Sequence, residues 1–495
     1  MNPIIIILAI FFLVGILLFY HIKSRRKFGD FPSPRSYPII GHAALLRPNV
    51  TERLDQLMGT CLLYSEYPRM TLLWLGPVPV VMLYCAEAIE AVFTGSKHLQ
   101  KGKLYKFLEQ WLGLGLLTTP PSTWKGRRRQ LTPTFHYDIL KNFVYVFNYQ
   151  AEIFVKNLKE RFKDSKECVV DIGHLLSLCT LDIICETSMG QSVNAQKYSD
   201  SEYVKAVHEI NDIIQKRQLN PLMWNNTIFK LTKEGKAHDK DIKILHDFRS
   251  NVIAKRIKQI ELDGGLNVNQ KCNFLDLLLE MRSNGELTLE QIECEVDTFM
   301  FEGHDTTATA LMWFLQIIGC NPEVQQRIRD ELYSVLGYEF TEVSFDQLGQ
   351  LKYLECCIKE ALRIFPSVPM FLRKLDHDEN VFGKYHIPAG TEIVINAYLT
   401  HRDPKYWPEP EKFRPERFMP PESNHRHPYS FIPFSVGSRN CIGQRFALLE
   451  EKSILAHVLT NFKVTSMKRM DEIRCKSELI LRPLEPILIK LEPLS

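Results

Sequence analysis

A cysteine acts as a metal ligand or nucleophile only as its thiolate, and Cys441 stands where a thiolate is favoured. It lies in Phe434-Ser-Val-Gly-Ser-Arg-Asn-Cys-Ile-Gly443, after a glycine-bearing turn and before Ile442, Phe446 and Leu449, which repeat at helical spacing. The free N–H groups and dipole at the start of such a helix stabilise an anion. Arg439, two residues earlier, is placed to meet an anionic group on whatever the sulfur holds, and Gly443 lets the chain approach something flat. Taken alone, a cysteine in a globular chain is more often a small buried apolar residue. A second group lies in Glu295-Val-Asp-Thr-Phe-Met-Phe-Glu-Gly-His-Asp-Thr-Thr307. Here Glu302, Asp305 and Thr306 stand at i, i+3 and i+4, which predicts that all three face one side of a helix. Polar groups in an otherwise apolar helix need partners or a task. Gly303 between them is expected to open space for a planar ligand. A routine buried hydrogen-bond cluster fits the same pattern.

Three weaker signals accompany these. Glu360-Ala-Leu-Arg363 sets acid and base one helical turn apart, which by itself describes a solvated pair. Phe413-Arg-Pro-Glu-Arg-Phe418 follows about fifty residues on and contributes Arg417. Trp124-Lys-Gly-Arg-Arg-Arg129 is either a basic patch or a wet helix face, with Trp124 and Arg128 four apart on one side. His304 and His401 have no second ligand at fixed spacing and carry no metal assignment.

The elements that must position these groups are mostly helical. Thr288 to Cys320 reads as one long helix, with Thr288 and Gln291 as a capping box. Asn321-Pro322 stops it and caps the next. Short β-branched runs such as Val78-Pro-Val-Val81 predict a small sheet, and Glu478 to Leu491 predicts short strands broken by Pro483 and Pro486. Residues 203–260 read as amphipathic helix with a loop at Asn220-Pro221. The expectation is a mainly α fold with a minor β part in one large domain over 45–495.

Ahead of it, Ile4–Tyr20 carries no charge and would span roughly 26 Å as a helix. Lys23, Arg25, Arg26 and Lys27 follow at once, which puts the rest of the chain in the cytosol. A cleaved signal peptide has the opposite order. The expected organisation is an anchor over 1–22, a basic and proline-rich connector over 23–44, and then the globule. The net charge of +3 gives no reason for a nucleic-acid partner. The twelve cysteines show neither zinc spacing nor disulfide density and read as reduced cytosolic thiols. The sequons at Asn49 and Asn225 carry no weight in a cytosolic domain.

At every fixed position the Phe434–Gly443 stretch resembles F-x-x-G-x-R-x-C-x-G, the haem loop of the cytochrome P-450 superfamily. Gly303-His-Asp-Thr-Thr307 matches that superfamily's oxygen-activating segment. The string Glu295–Thr307 is similar, letter for letter, to the signature of its family 4, the fatty-acid ω-hydroxylases. Departures fall at Val436 and Ser438, where Ala and Pro are more usual. The resemblance implies the P-450 fold behind one N-terminal transmembrane helix, and haem b with Cys441 as axial iron ligand beside Phe434. It implies Trp124, Arg128, Arg373 and Arg439 as cofactor contacts, Asp305 and Thr306 in proton delivery, and Glu360, Arg363 and Arg417 as a structural network. The glutamate at the position of Glu302 can form an ester with a haem methyl group. O2 and NADPH-derived electrons would be co-substrates, with NADPH–cytochrome P-450 reductase and cytochrome b5 as partners, on the cytosolic face of the endoplasmic reticulum. Fatty-acid ω-hydroxylation is the leading activity; sterol, eicosanoid and xenobiotic oxidation stay open. A haem-thiolate peroxide isomerase usually lacks the acid–threonine pair, and a non-enzymatic haem sensor needs no proton relay.

Overall fold

A computed structural model describes residues 3–45, 47, 50–64, 69–162, 168–198, 201–265 and 273–494. Asn49 and Cys272 lie outside them; the other eleven cysteines form no disulfide. The architecture is mainly α with a minor β part, as the periodicities predict. At its centre runs the helix Leu289–Gly319, and both halves of the capping box form: Gln291 N–H donates to Thr288 Oγ1 at 3.2 Å, and Thr288 N–H to Gln291 Oε1 at 3.0 Å. The far end differs from expectation. Asn321 stands at the N-cap of the helix Pro322–Leu336 with Pro322 after it, but its side chain makes no bond there; its Nδ2 reaches back to the Ile317 carbonyl at 2.7 Å, because the last carbonyls of the central helix need donors.

Among the elements packed against this axis are the helices Ile172–Met189, Lys233–Leu262, Phe274–Ser283, Lys352–Ile364 and Gln444–Asn461 and the strand Phe462–Ser466. The central helix is buried nearly all round, and Trp313 and Phe314 are fully buried on it. Among the described residues, the one helix long and apolar enough to cross a membrane by composition is Ile172–Met189, and 78% of it is buried inside the core.

The β part is small. A four-stranded sheet runs in the order Met70–Leu75, Val78–Leu83, Glu392–Asn396, Met370–Lys374, with the middle pair parallel. A three-stranded sheet has Leu488–Pro493 between Cys168–Asp171 and Phe462–Ser466. Cys475–Ser477 and Leu481–Pro483 pair antiparallel as a hairpin.

The N-terminal helix runs Pro3–Arg26, four residues past the expected anchor boundary, and exposes Ile4, Leu8, Phe12 and Phe19. Its C-terminal end is docked rather than free. The His21 and Phe28 rings lie 5.2 and 5.8 Å from that of Trp74 in the four-stranded sheet.

Candidate active site

The Cys441 loop is held by its own backbone. Cys441 N–H donates to the Phe434 carbonyl at 2.9 Å and Asn440 N–H to that of Gly437 at 3.1 Å. Gly437 has φ +68°, and a Cβ there would lie 3.3 Å from the Phe93 carbonyl oxygen, so glycine suits both the turn and the close approach. The helix Gln444–Asn461 starts three residues after the sulfur, with Gly443 at its cap.

Cys441 is exposed, but to an interior cavity of about 390 Å³. Ile442, Gly443 and Phe446 line it on the cysteine side. Thr298, Phe299, Glu302, Gly303, Thr306 and Ala310 of the central helix line it too. Leu54, Leu57, Leu73, Leu75, Val78, Val80 and Met82 make another part of the wall apolar. Burial, and then the Glu302 carboxylate, push the Cys441 thiol up to about 11, against the Gly443 N–H and the Arg128 charge. A stable thiolate there calls for a cation at the sulfur.

Cations gather along neighbouring stretches of backbone. Arg128 donates to Asn440 twice, to the carbonyl at 2.7 Å and to Oδ1 at 3.1 Å. Arg439 donates to the Thr119 carbonyl and lies over the Trp124 ring, 4.8 Å from its centre. Its Nε and Nη1 are buried without hydrogen-bond partners, and burial beside Arg373 lowers it to about 9. Arg373 Nη2 reaches Ser435 Oγ and the Arg439 carbonyl, each at 3.4 Å. These residues and Trp124 are the ones the sequence singles out. Lys101, which it does not, bridges to Arg373 through the backbone and holds its ammonium 4.4 Å from the Tyr105 ring centre. Burial, then Arg373 and Arg439, push that amine well below its usual range. No local motif marks Lys101; only strand pairing brings it to the cavity. Buried guanidinium atoms without acceptors, beside an apolar slot with a thiol in its wall, fit a flat apolar ring that bears carboxylates and a metal.

The central helix divides its polar residues. Glu302 and Thr306 line the cavity. Thr306 Oγ1 donates to the Glu302 carbonyl at 2.8 Å, and Ser367 Oγ donates to the Thr306 carbonyl at 2.9 Å. Burial raises the Glu302 carboxyl, with Lys101 opposing. Asp305 does not share this face, contrary to the i, i+3, i+4 expectation. Neighbours on a helix are about 100° apart, so Asp305 and Thr306 flank Glu302 on different sides. Asp305 is fully buried behind the wall, ion-paired with Arg482 and accepting from Asn211 Nδ2 at 3.1 Å. Burial alone would raise its carboxyl, but Arg482, with His208 and His304, holds it below the usual range. Gly303 also departs from expectation. A Cβ on it would meet Ile184 Cδ1 at 2.5 Å, so its missing side chain admits the neighbouring helix rather than leaving open room.

Glu360, Arg363 and Arg417 form one fully buried network. Arg363 grips Glu360 with two bonds of 2.7 and 2.8 Å, and Arg417 Nε adds a third at 3.2 Å. Arg363 also donates to the His401 carbonyl at 3.0 Å, and His401 Nε2 accepts from Ile432 N–H at 2.8 Å, two residues before Phe434. The network therefore reaches the cysteine loop through a neutral histidine, which burial and the Arg363 charge lower to about 3. His304 is buried, with Nδ1 2.7 Å from the Met300 carbonyl. Elsewhere His98, His377 and Glu379 bring three donor atoms within 4.8 Å. His98 Nδ1 accepts from Asp376 N–H, which leaves its proton on Nε2, and Lys97 takes the same Glu379 oxygen. That trio is a clasp between loops.

The cytochrome P450 family model matches residues 31–491. The mouse protein named cytochrome P450 4V2 is 46% identical over 488 residues, covering 96% of this chain and 92% of its own. The human protein of that name is 45% identical over 475 residues, covering 92% and 88%. Cytochrome P450 4c3 of Drosophila melanogaster is 38% identical over 509 residues, covering 98% and 94%. With a cysteine turned into a slot edged by arginines, and with similarity of this extent, the chain belongs to the cytochrome P450 superfamily, within family 4, and is a haem-thiolate monooxygenase.

Proposed function

We propose that this enzyme hydroxylates the terminal carbon of fatty acids or related lipids at the endoplasmic reticulum membrane. The observation that carries the reading is the shared cavity wall: Glu302 and Thr306 lie one turn apart in it, with Cys441 and many apolar side chains lining the same cavity. Haem b bound there, with Cys441 as iron ligand, supplies oxygen activation and the oxidation of an unactivated C–H bond. The balance is one O2, one NADPH and one proton for each C–H converted to C–OH, with one water released.

The residues of the chain bind, orient and hold protons. Arg128, Arg373, Arg439 and Trp124 would hold the haem carboxylates, and Phe434 would help bind the ring. Glu360, Arg363 and Arg417 brace the loop that carries Cys441. Thr306 stabilises the reacting oxygen through its hydroxyl, with Asp305 feeding it protons after turning from Arg482. Glu302 would supply the carboxylate for an ester with a haem methyl group, and the link would fix the ring and narrow the cavity. A C–O bond would replace a methyl C–H bond; the two electrons and two protons released would pass, with two reductase electrons and two further protons, to one O2, which leaves as two waters. Terminal C–H bonds are stronger than internal ones, so excluding the penultimate carbon sterically is what favours the chain end.

A reductase partner supplies the electrons singly; in this reading it is NADPH–cytochrome P-450 reductase, with cytochrome b5 as a second donor. Residues 1–22 are the membrane anchor, 23–44 the connector and 45–495 the catalytic domain on the cytosolic face. The docked helix end at Trp74 would fix how the cavity faces the bilayer. Leu222, Ile228 and Leu231, exposed beyond the helix Glu202–Leu219, would add a second contact. Reconstitution with the reductase and a series of fatty acids tests this: NADPH-dependent ω-hydroxy acids are expected. Oxidation of sterols or xenobiotics with no fatty-acid product would overturn the substrate assignment.

A further inference from the structure

Arg482 holds Asp305 from a hairpin that also forms part of the cavity wall. Glu478, Leu479 and Ile480 line the cavity, and Arg482 follows two residues later on Leu481–Pro483. The guanidinium divides its contacts: Nη2 to Asp305 Oδ1, Nη1 to Thr309 Oγ1 at 3.3 Å. Its Nε has no hydrogen-bond partner and lies 3.9 Å from Glu478 Oε2. Glu478 is itself buried, 5% exposed, with Oε1 2.5 Å from Lys476 Nζ. Two carboxylates thus contend for one guanidinium, one behind the wall and one in it.

In the ion pair Asp305 is turned away from Thr306. Releasing it would strand a buried guanidinium, which is costly unless another anion replaces it. Glu478 can be that anion, since a move of about 1 Å closes 3.9 Å to charge-assisted hydrogen-bond length. We propose that Glu478 is a positioning residue for proton supply: when substrate presses on Leu479 and Ile480, the hairpin shifts, Arg482 exchanges Asp305 for Glu478, and the Asp305 carboxyl is released towards the cavity. The change is one of ion-pair partner, with no bond made or broken. Burial raises the Glu478 carboxyl, with Lys476 and Arg482 opposing and Asp212 adding to it. Asp305 is faced by Arg482, His208, His304 and Asn211. The inference rests on the proton-delivery role given to Asp305 above and adds the residue that governs it.

The test uses the full-length haem-loaded enzyme with dodecanoate. Infrared spectra of wild type minus D305N, in the ferric resting state, report the Asp305 carboxylate. Dodecanoate is expected to shift its stretching band in wild type and to leave it fixed in E478Q. K476Q, which removes one partner of Glu478, should move the band in the same direction without dodecanoate. In turnover E478Q should lower kcat roughly 5- to 20-fold, short of the 10²-fold or more for deleting a proton donor. KM should stay within about 2-fold and the solvent isotope effect at least double, with E478D recovering most of the rate. No band shift in wild type, or an unchanged shift and isotope effect in E478Q, would overturn the proposal. If D305N itself leaves the isotope effect unchanged, the proton role of Asp305 falls, while the infrared result still decides whether Arg482 changes partner.

Discussion

Asp305 and Thr306 are neighbours in sequence, yet the helix sends them to different sides: Thr306 into the cavity wall, Asp305 to Arg482 behind it. The acid and the hydroxyl proposed to act together are therefore apart in this conformation. Proton transfer between them requires a side-chain rotation, and the two residues should show separable defects.

Thr306→Ala should bind haem and substrate normally but lose coupling. Product formed per NADPH should fall roughly 10-fold, with the missing electrons recovered as peroxide. Parallel measurement of NADPH, peroxide and hydroxylated product checks this; wild-type coupling would leave Thr306 a structural role, through its bond to the Glu302 carbonyl.

Cys441→His and Cys441→Ala should abolish the far-red-shifted Soret band of the reduced carbon monoxide complex. No other described cysteine lines the cavity. A band persisting in either variant would place the iron ligand elsewhere.

Glu302→Ala should release all haem into acidic organic solvent after turnover and move products from the chain end towards internal carbons. In wild type, haem mass should remain on the Glu302 peptide. Full recovery of free haem b from turned-over wild type would exclude the ester and leave the monooxygenase chemistry in place.

Glu360→Gln should be among the most destabilising single substitutions. Its carboxylate is the shared acceptor of two fully buried arginines, and removing one partner of a buried pair costs about 3–5 kcal/mol. Thermal unfolding and haem retention of the full-length enzyme would register it, with loss of the cysteine loop preceding global unfolding. A melting temperature within a few degrees of wild type would contradict the network's structural role.

Acid stability should report on Asp305. Its carboxyl is held below the unfolded value near 3.8, so it contributes stability that is fully present above that pH. That contribution is lost as pH falls through the lower folded value. In Arg482→Met burial acts unopposed by the guanidinium and the sign reverses, so stability should rise as pH falls from neutral towards 4. Between pH 4 and 8 unfolding curves should show this contribution nearly flat in wild type and rising towards low pH in Arg482→Met, the wild-type loss setting in only below that range.

What the sequence disclosed follows from how local each feature is. The Cys441 turn, the capping box at Thr288 and the Trp124–Arg128 pair are set by spacing within one element, and they stand where the spacing puts them. The Glu360 network was legible because Phe413–Phe418 supplies a second short motif. Lys101 was not, since its place depends on a bridge to Arg373, far away in sequence. The facing of Asp305 was misread for a related reason. A helical period gives angles around an axis, but which of two flanking positions meets the cavity was decided by Arg482 on a distant hairpin.

One contact has a bearing on how such enzymes diversify. Ile184 occupies the space a side chain on residue 303 would need, and it lines the cavity as well. Headroom beside Glu302 and Thr306 is therefore governed from the helix Ile172–Met189, while the backbone carrying the reactive groups stays as it is. Substrate girth and reaction chemistry become separately heritable traits, and drift at position 184 can retune the first without putting the second at risk.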